Sequence, residues 1–188
     1  TETITVVASG NYSVTVFNAN GCSTLSSVLT VTEWDDPIPV ITADGPTQFC
    51  DGGSVTLTSS IQASYVWNTG ATTQSIVVSA AGTYSVSVVD TNGCTGASAP
   101  IVISVFDNPQ PTVSLNGDNN LCQGESVTLT SSTAASYLWS TGQTTQAIVV
   151  DTAGSYTVIV TDANGCEGTS DPVIINVNDN PEPTITPD

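Results

Sequence analysis

The 188-residue chain contains no lysine, arginine, histidine or methionine. Without histidine it can form neither a Ser-His-Asp triad nor a histidine metal site, and without lysine it can form no Schiff base. A Lys–Asn isopeptide bond is excluded for the same reason, and trypsin has no cleavage site. Because no cofactor motif is present either, we expect no catalytic residues and predict that the protein is not an enzyme.

Seventeen acidic residues give the chain a net charge of −17. A charge of this sign repels nucleic acid and anionic membrane surfaces, so neither is an expected partner. No run of about 18 apolar residues occurs, so we expect no membrane insertion. The apolar fraction of 39% is high enough for folded cores, which argues against disorder.

The most informative feature that is present is an internal repeat. Asn20-Gly21-Cys22 recurs as Asn92-Gly93-Cys94 and as Asn164-Gly165-Cys166. Residues 38–109 align with residues 110–181 without a gap, and 40 of the 72 positions are identical. A fixed period of this length is typical of an array of similar modules.

The phase of the repeat predicts the domain organisation. Residues 1–37 correspond to the C-terminal half of a module, residues 38–109 and 110–181 to complete modules, and residues 182–188 to the start of the next one. We therefore expect the chain to be part of a longer tandem polymer, in which neighbouring modules of the same chain contact one another.

Short alternating segments within a repeat predict β-strands. Ser126–Thr130 alternates polar and apolar residues, and Ser155–Thr161 does so again before an Asn-Gly turn signal. The other strands expected in residues 110–181 are Pro111–Leu115, Ser136–Ser140, Thr145–Val150 and Pro172–Val177. No segment has helical periodicity. The fold expected is all-β, with about seven short strands in each small sandwich.

Three sequence patterns resemble a known family. They are C-x-G-x-SVTLT, Y-x-W-S-T-G-x-TT and G-x-Y-x-V-x-VTD-x-NGC, and all three lie in residues 110–181. They are similar to the immunoglobulin-like or PKD-like repeats of secreted Bacteroidota surface adhesins and fibres. This resemblance implies immunoglobulin-like β-sandwich modules in a head-to-tail array, located outside the cell, on its surface or in a filament.

The function that this resemblance implies is structural: a repeat segment of a long extracellular stalk or filament. The alternative is a glycan-binding adhesin repeat whose modules contact surface glycans directly. A stalk would bury Trp67 and Trp139, whereas a binding module would expose aromatic side chains on one face. Lateral packing of identical chains into a multi-stranded fibre is a third possibility.

Five cysteines occupy two positions of the repeat, which fits an oxidising, extracellular location. Cys50 and Cys122 precede the second strand, and Cys22, Cys94 and Cys166 follow the sixth. One possible pairing joins cysteines within each module, as Cys50–Cys94 and Cys122–Cys166.

The geometry of the implied sandwich favours a different pairing. Its second and sixth strands run in the same direction, so the two cysteine positions lie at opposite ends of a module. A strand of about 7 residues spans roughly 23 Å, whereas a disulfide needs Cα atoms within roughly 7 Å. Head-to-tail packing instead brings Cys50 beside Cys166. The same rule predicts that Cys22, Cys94 and Cys122 pair with cysteines outside the 188-residue sequence.

The linkers between modules are short and contain prolines, which stiffen them. We expect Trp34 and Phe106 to pack at these junctions. Asn178-Asp179-Asn180-Pro181 resembles part of the cadherin inter-domain calcium motif. The resemblance implies possible Ca²⁺ ligands at the junctions, namely Asp107, Asn108, Asp179 and Asn180. The alternative is a turn capped by these side chains without a metal. No other cofactor is expected.

Several aromatic residues recur at fixed places in the repeat. Trp67 and Trp139 are predicted to be core residues rather than sugar-stacking platforms. Tyr12, Tyr84 and Tyr156 begin the sixth strand, where a corner tyrosine bonds to nearby backbone and contributes to the core. Separately, Asp151-Thr152-Ala153 resembles the O-glycosylation pattern of Bacteroidota, so Thr152 is a candidate acceptor; the alternative is an ordinary turn residue.

Overall fold

The computed structural model describes residues 3–185. Two residues of the predicted half-module 1–37, and residues 186–188 of the predicted module start 182–188, lie outside this range. Every regular element in the described residues is a β-strand, which confirms the all-β prediction. The described part of the chain also contains no helix of the length and hydrophobicity that a membrane crossing requires.

The strands are short, and none exceeds six residues in the described range. Residues 3–37 contain β1 Gly10–Tyr12, β2 Thr15–Phe17, β3 Ser23–Leu25 and β4 Leu29–Val31. Residues 38–109 contain β5 Ile41–Ala43, β6 Gln48–Cys50, β7 Val55–Ser59, β8 Ser64–Trp67, β9 Ser75–Val78, β10 Gly82–Tyr84, β11 Val86–Val89, β12 Thr95–Ala97 and β13 Ile101–Phe106. Residues 110–181 contain β14 Val113–Asn116, β15 Asn120–Cys122, β16 Val127–Ser131, β17 Ser136–Trp139, β18 Ala147–Val150, β19 Gly154–Tyr156, β20 Val158–Thr161, β21 Glu167–Thr169 and β22 Val173–Asn178.

Each strand of residues 38–109 has a counterpart at the equivalent place in residues 110–181, so the sequence repeat is also a repeat of local structure. The sheet orders correspond as well. The orders β5-β7-β9, β12-β11-β8 and β10-β13-β6 recur as β14-β16-β18, β21-β20-β17 and β19-β22-β15.

The chain divides into two compact units that do not follow the repeat boundaries. The first comprises Thr1–Thr42, Leu57–Ile76 and Thr83–Ile101, and the second comprises Ala43–Thr56, Val77–Gly82 and Val102–Asp188. The domain boundaries drawn from the sequence repeat therefore stay a prediction.

In the second unit, three three-stranded sheets contribute to one core. Their strand orders are β14-β16-β18, β17-β20-β21 and β15-β22-β19. Strand β15 runs parallel to β22, whereas the pairs β14–β16, β16–β18, β17–β20, β20–β21 and β19–β22 are antiparallel. This order is that of an immunoglobulin-like sandwich. The core is formed by buried side chains from all three sheets: Leu121, Val127, Leu129, Trp139, Ile148, Val150, Tyr156, Val158, Val160 and Ile175.

The first unit is built around the sheet β12-β11-β8. Leu57 and Trp67 are at most 1% exposed, and Val86 lies opposite Trp67 in the β8–β11 register. Alternation explains this burial, because every second residue of a strand points to the same face. Two further sheets of this unit, β1-β4 and β2-β3, each contain two strands.

The structure differs from the predicted strands in two ways. The expected strand Ser155–Thr161 is interrupted at Thr157, because β19 pairs with β22 whereas β20 pairs with β17 and β21. Strands β15 and β21 were not predicted. Each has only three residues, too few for an alternating pattern, and each forms because a longer strand offers it hydrogen-bonding partners.

Candidate functional site at the Cys50–Cys166 junction

Cys50 lies at the end of a short parallel strand. In the β6–β13 register it is opposite Phe106, and the N–H of Asp51 donates to the Phe106 carbonyl oxygen at 2.8 Å. The Asn108 side-chain amide donates to the Asp51 carbonyl oxygen at 3.2 Å. Cys50 is therefore held directly beside the linker that joins residues 38–109 to residues 110–181.

Cys166 is placed by a tight turn after β20. The Asp162 carboxylate accepts from the N–H groups of Asn164 at 2.8 Å and Cys166 at 2.9 Å, and Gly165 adopts a φ of 85°. A φ in this left-handed region favours glycine. The pKa of the Asp162 carboxyl is lowered, mainly because the N–H of Cys166 donates to it and also because Asn164 does. Partial burial acts in the opposite direction but does not outweigh these contacts.

The Sγ atoms of Cys50 and Cys166 form a disulfide, with Cα atoms 5.5 Å apart. This is the pairing that head-to-tail packing favoured. The alternative pairing within modules does not occur, because Cys94 and Cys122 are free thiols. Cys166 is completely buried, so the bond is shielded from solvent on that side.

A close backbone approach accompanies the disulfide. A Cβ atom placed on Gly168 would overlap the carbonyl oxygen of Pro109. Only glycine therefore allows β21 to lie against the linker at this distance. The disulfide and this approach together join the linker to the β20–β21 turn at two points.

The same arrangement recurs around Cys94, without the disulfide. A Cβ atom on Gly96 would overlap the carbonyl oxygen of Pro37, as Gly168 would with Pro109. The Cys94 thiol lies 3.9 Å from the Trp34 carbonyl oxygen and is half-buried. Burial raises the pKa of this thiol, and the carboxylates of Asp90, Asp36 and Asp35 raise it further.

The turn that carries Cys94 is also repeated. Burial alone would raise the pKa of Asp90, but the N–H groups of Cys94 and Asn92 donate to its carboxylate and together lower the pKa. The local environment of Cys94 therefore matches that of Cys166, but Cys94 forms no disulfide.

Cys122 is the counterpart of Cys50. It lies opposite Asn178 in the parallel β15–β22 pair, and the N–H of Gln123 donates to the Asn178 carbonyl oxygen at 2.9 Å. Cys122 is an exposed free thiol, as is Cys22. Cys22, Cys94 and Cys122, which were predicted to pair with cysteines outside the 188-residue sequence, are therefore all free thiols.

Within the described residues no group of three acidic or cysteine side chains is arranged to hold a metal ion, and the calcium ligands Asp107, Asn108, Asp179 and Asn180 stay a prediction. The Asn108 amide donates to the Asp51 carbonyl oxygen, and the Asn180 amide donates to the Gln123 carbonyl oxygen at 3.1 Å. These asparagines brace the linker backbone. Asp107 and Asp179 are exposed.

The recurring aromatic residues are mostly buried. Trp67 and Trp139 are each 1% exposed, and their indole N–H groups donate to the carbonyl oxygens of Thr73 and Thr145 at 2.8 Å. Neither ring offers a sugar-stacking face. By contrast, Trp34 is 56% exposed, so the expectation that it packs at a junction is wrong in this structure.

Two of the corner tyrosines, Tyr12 and Tyr156, bond to the backbone four residues upstream. The hydroxyl of Tyr156 donates to the Thr152 carbonyl oxygen and that of Tyr12 to the Ala8 carbonyl oxygen, both at 2.8 Å. Tyr84 and Tyr156 are buried, and Tyr12 is half-buried. The side chain of Thr152, the candidate glycosylation site, is exposed, but its hydroxyl lies 2.9 Å from that of Tyr156.

Sequence reasoning missed the two backbone features of the junction. The parallel strand β6 was not predicted, nor was the approach of Gly168 to Pro109. The sequence does contain a signal for the close approach of Gly168 to Pro109. Gly96 and Gly168 occupy the same repeat position, although the residues on either side of them differ.

No family model and no curated protein matches the sequence. Three solved structures are similar in part. Mouse CEACAM1b is 15% identical with a TM-score of 0.35, and the match covers 74% of this chain and 100% of that one. A mouse coronavirus receptor-binding domain complexed with its murine receptor is 14% identical with a TM-score of 0.38 and the same coverages. The mouse nectin-like molecule 4 ectodomain is 14% identical with a TM-score of 0.33, covering 79% of this chain and 66% of that one. At these values the similarity carries no argument about function.

Proposed function

We propose that this chain is a structural repeat segment of a long extracellular bacterial stalk or filament. Its modules would be immunoglobulin-like sandwiches of about seven strands, one for each copy of the sequence repeat, arranged in tandem. The single observation that carries this proposal is the covalent link between Cys50 of one repeat and Cys166 of the next. A disulfide at a linker makes each repeat depend mechanically on its neighbour.

Three further features support a structural role. A disulfide persists in an oxidising compartment, which agrees with an extracellular location. Trp67 and Trp139, the two tryptophans considered as sugar-stacking platforms, are buried. The linker carries the stiffening residues Pro109 and Pro111, and Asn108 braces it through the Asp51 carbonyl oxygen.

The function is tested in the organism that produces the protein. Antibodies raised against residues 38–181 should label filaments outside the cell in immunogold electron microscopy. Deleting whole repeats should shorten those filaments in proportion. Label confined to the cytoplasm, or a filament length independent of repeat number, would contradict the proposal.

A binding assay separates the stalk from the adhesin alternative. The purified chain is applied to a glycan array and to extracellular matrix proteins, in oxidised and reduced form. The stalk function predicts no saturable binding to either. Saturable binding that requires residues 38–181 would favour an adhesin repeat instead.

A further inference from the structure

The disulfide shortens the covalent route through the chain. Cys50 and Cys166 are 116 positions apart in the sequence, and both belong to the second compact unit. Tension applied to the chain on either side of these residues passes from Cys50 to Cys166 through the bond between their Sγ atoms. Residues 51–165 then form a loop without tension along its backbone, because the Cα atoms at its two ends stay 5.5 Å apart.

The bypassed loop contains almost all of the buried core. Of the buried side chains that form the core of the second unit, only Ile175 lies outside residues 51–165. The buried side chains of Leu57, Trp67 and Val86 in the first unit lie within the loop as well. Tension applied beyond the two cysteines therefore does not pull along the strands that carry these side chains.

The linker between the two complete repeats is also bypassed. Pairing within modules, as Cys50–Cys94 and Cys122–Cys166, would leave residues 95–121 under tension, and these residues include the linker at 106–109. The pairing that forms encloses this linker within the loop. The choice between the two pairings therefore also decides which residues bear tension.

The residues that do bear tension are already close to full extension. Beyond Cys166 they form β21 and β22, which are separated only by residues 170–172, and before Cys50 they form β6. A strand rises about 3.3 Å per residue, and a fully extended chain reaches at most about 3.6 Å per residue. Tension can therefore lengthen these strands very little, so they need not leave their sheets.

Strand β22 is held on both sides by strands of the loop. It lies between β19 and β15 in its sheet, and its Ile175 side chain is buried in the core. Tension along β22 loads its hydrogen bonds to both neighbours together, whereas peeling a strand from one end breaks such bonds one at a time. The loop therefore stays attached to the strand that bears the tension.

We propose that the Cys50–Cys166 disulfide is a tension bypass. It routes tension through β6, the S–S bond, β21 and β22, and it thereby keeps the cores in residues 51–165 folded while the chain is stretched. The bypass deepens the stalk function and rests on it for its use in the organism. The route of the tension is a property of the folded, oxidised chain, so the purified protein suffices to test it.

The test exploits the absence of lysine and arginine, which leaves trypsin no site in the parent chain. Thr144→Lys introduces one site in the exposed connection between β17 and β18, and Asp179→Lys introduces one in an exposed segment after β22. Each oxidised protein is held in optical tweezers, with trypsin, by tags at its two ends that contain neither lysine nor arginine. Cleavage at residue 179 should break the tether at once. Cleavage at residue 144 should leave it intact until a reductant is added, because the disulfide still joins the two pieces.

The rate of cleavage at residue 144 measures whether the loop stays folded, because a protease cuts a folded segment mainly when that segment opens. The fraction of tethers that break on reduction gives this rate. At a tension that fully extends Cys50→Ser, we expect the rate in the oxidised Thr144→Lys protein to stay within about twofold of its value without tension. A rate that rises with tension in this oxidised protein would overturn the proposal.

Two further variants provide the comparison. When Thr144→Lys is combined with Cys50→Ser, the same tension stretches the loop, and the rate should rise at least about 10-fold over its value without tension. Cys122→Ser with Thr144→Lys is the matched control, because Cys122 is a free thiol at the same repeat position, and it should behave as Thr144→Lys alone. Equal dependence on tension with and without Cys50 would contradict the bypass.

The extended length gives an independent measurement. The oxidised protein should reach a length about 400 Å shorter than Cys50→Ser, because the 116 positions between the two cysteines are withheld from extension. Equal lengths would overturn the proposal. The stalk function fails separately: filaments without label outside the cell would refute it and leave these rates and lengths unchanged, whereas tension-dependent cleavage of the oxidised protein would refute only the bypass.

Discussion

Two serines at the same repeat position differ in how their buried hydroxyls are satisfied. Ser59 and Ser131 are 1% and 2% exposed. The Ser131 hydroxyl donates to the Ser132 carbonyl oxygen at 3.2 Å, whereas the Ser59 hydroxyl has no hydrogen-bond partner. A buried polar group without a partner costs stability that an apolar side chain of the same size does not.

We therefore predict that Ser59→Ala stabilises the protein. The free energy of unfolding should rise by about 1 kcal/mol, because the substitution removes an unsatisfied hydroxyl and leaves the backbone hydrogen bonds in place. Urea unfolding followed by tryptophan fluorescence measures the change. Ser131→Ala is the matched control and should give no gain, since it removes a hydrogen bond that is made. A loss of stability for Ser59→Ala would mean that its hydroxyl is solvated or paired.

The turn between β20 and β21 is held by one carboxylate, and its stability should depend on pH. The folded state lowers the Asp162 pKa, so the turn is stabilised by ionised Asp162 above the ordinary pKa of about 3.9. This contribution is lost as the pH falls through the lowered folded-state pKa, because protonation removes the acceptor.

Asp162→Asn should remove this part of the pH dependence. The urea midpoint of the parent protein should fall more steeply between about pH 5 and pH 3 than that of the variant. Asp151→Asn changes an exposed carboxylate of the same unit and serves as the control. Its urea midpoint should fall with pH as steeply as that of the parent protein. If Asp162→Asn and the parent had the same slope, the carboxylate would not hold the turn.

The contact between β21 and the linker depends on a residue without a side chain. We predict that Gly168→Ala destabilises the second unit by about 1–3 kcal/mol, because its Cβ would overlap the Pro109 carbonyl oxygen and force the backbone apart. Oxidative refolding of the variant should also form the Cys50–Cys166 bond more slowly.

The control for this contact is Gly154→Ala in strand β19. A Cβ at Gly154 would lie 3.6 Å from the Tyr156 ring, an ordinary van der Waals distance. Its stability and rate of disulfide formation should stay near those of the parent protein. Parent-like behaviour of Gly168→Ala would show that the linker is free to move away from β21.

At the scale of the whole molecule, one covalent bond joins residues that are 116 positions apart in the sequence. Closing so long a loop restricts the unfolded chain, and the chain-entropy model gives a stabilisation of about 4–5 kcal/mol for a loop of this size. The second unit contains both cysteines, so the effect should appear in its unfolding.

We predict that Cys50→Ser lowers the stability of the second unit by up to about 4 kcal/mol. Cys122→Ser is the matched control, since it changes the same repeat position where the thiol is free, and it should have little effect. Hydrogen exchange on both variants, compared with the oxidised parent protein, locates the change. Equal exchange in Cys50→Ser and the parent would show that packing alone holds the junction.

Several features followed from local sequence patterns alone. Alternation in Ser126–Thr130 and Ser155–Thr161 predicts half-buried strands, because the side-chain period of a strand is two and needs no distant partner, and β16 and β20 form within or beside these segments. Trp67 and Trp139 recur at the same position of the repeat, and their indoles lie in the core. The period of the repeat is also a property of the sequence, and the strands recur with it.

Other features required the tertiary structure. Strands β6 and β15 have three residues each and exist because β13 and β22 supply parallel hydrogen-bonding partners, which no local pattern records. The sequence determined that cysteines recur at two positions but left two pairings open. The folded backbone decided between them, because a disulfide forms only where two Cα atoms come within bonding range, and that distance is a property of packed strands and not of spacing along the chain.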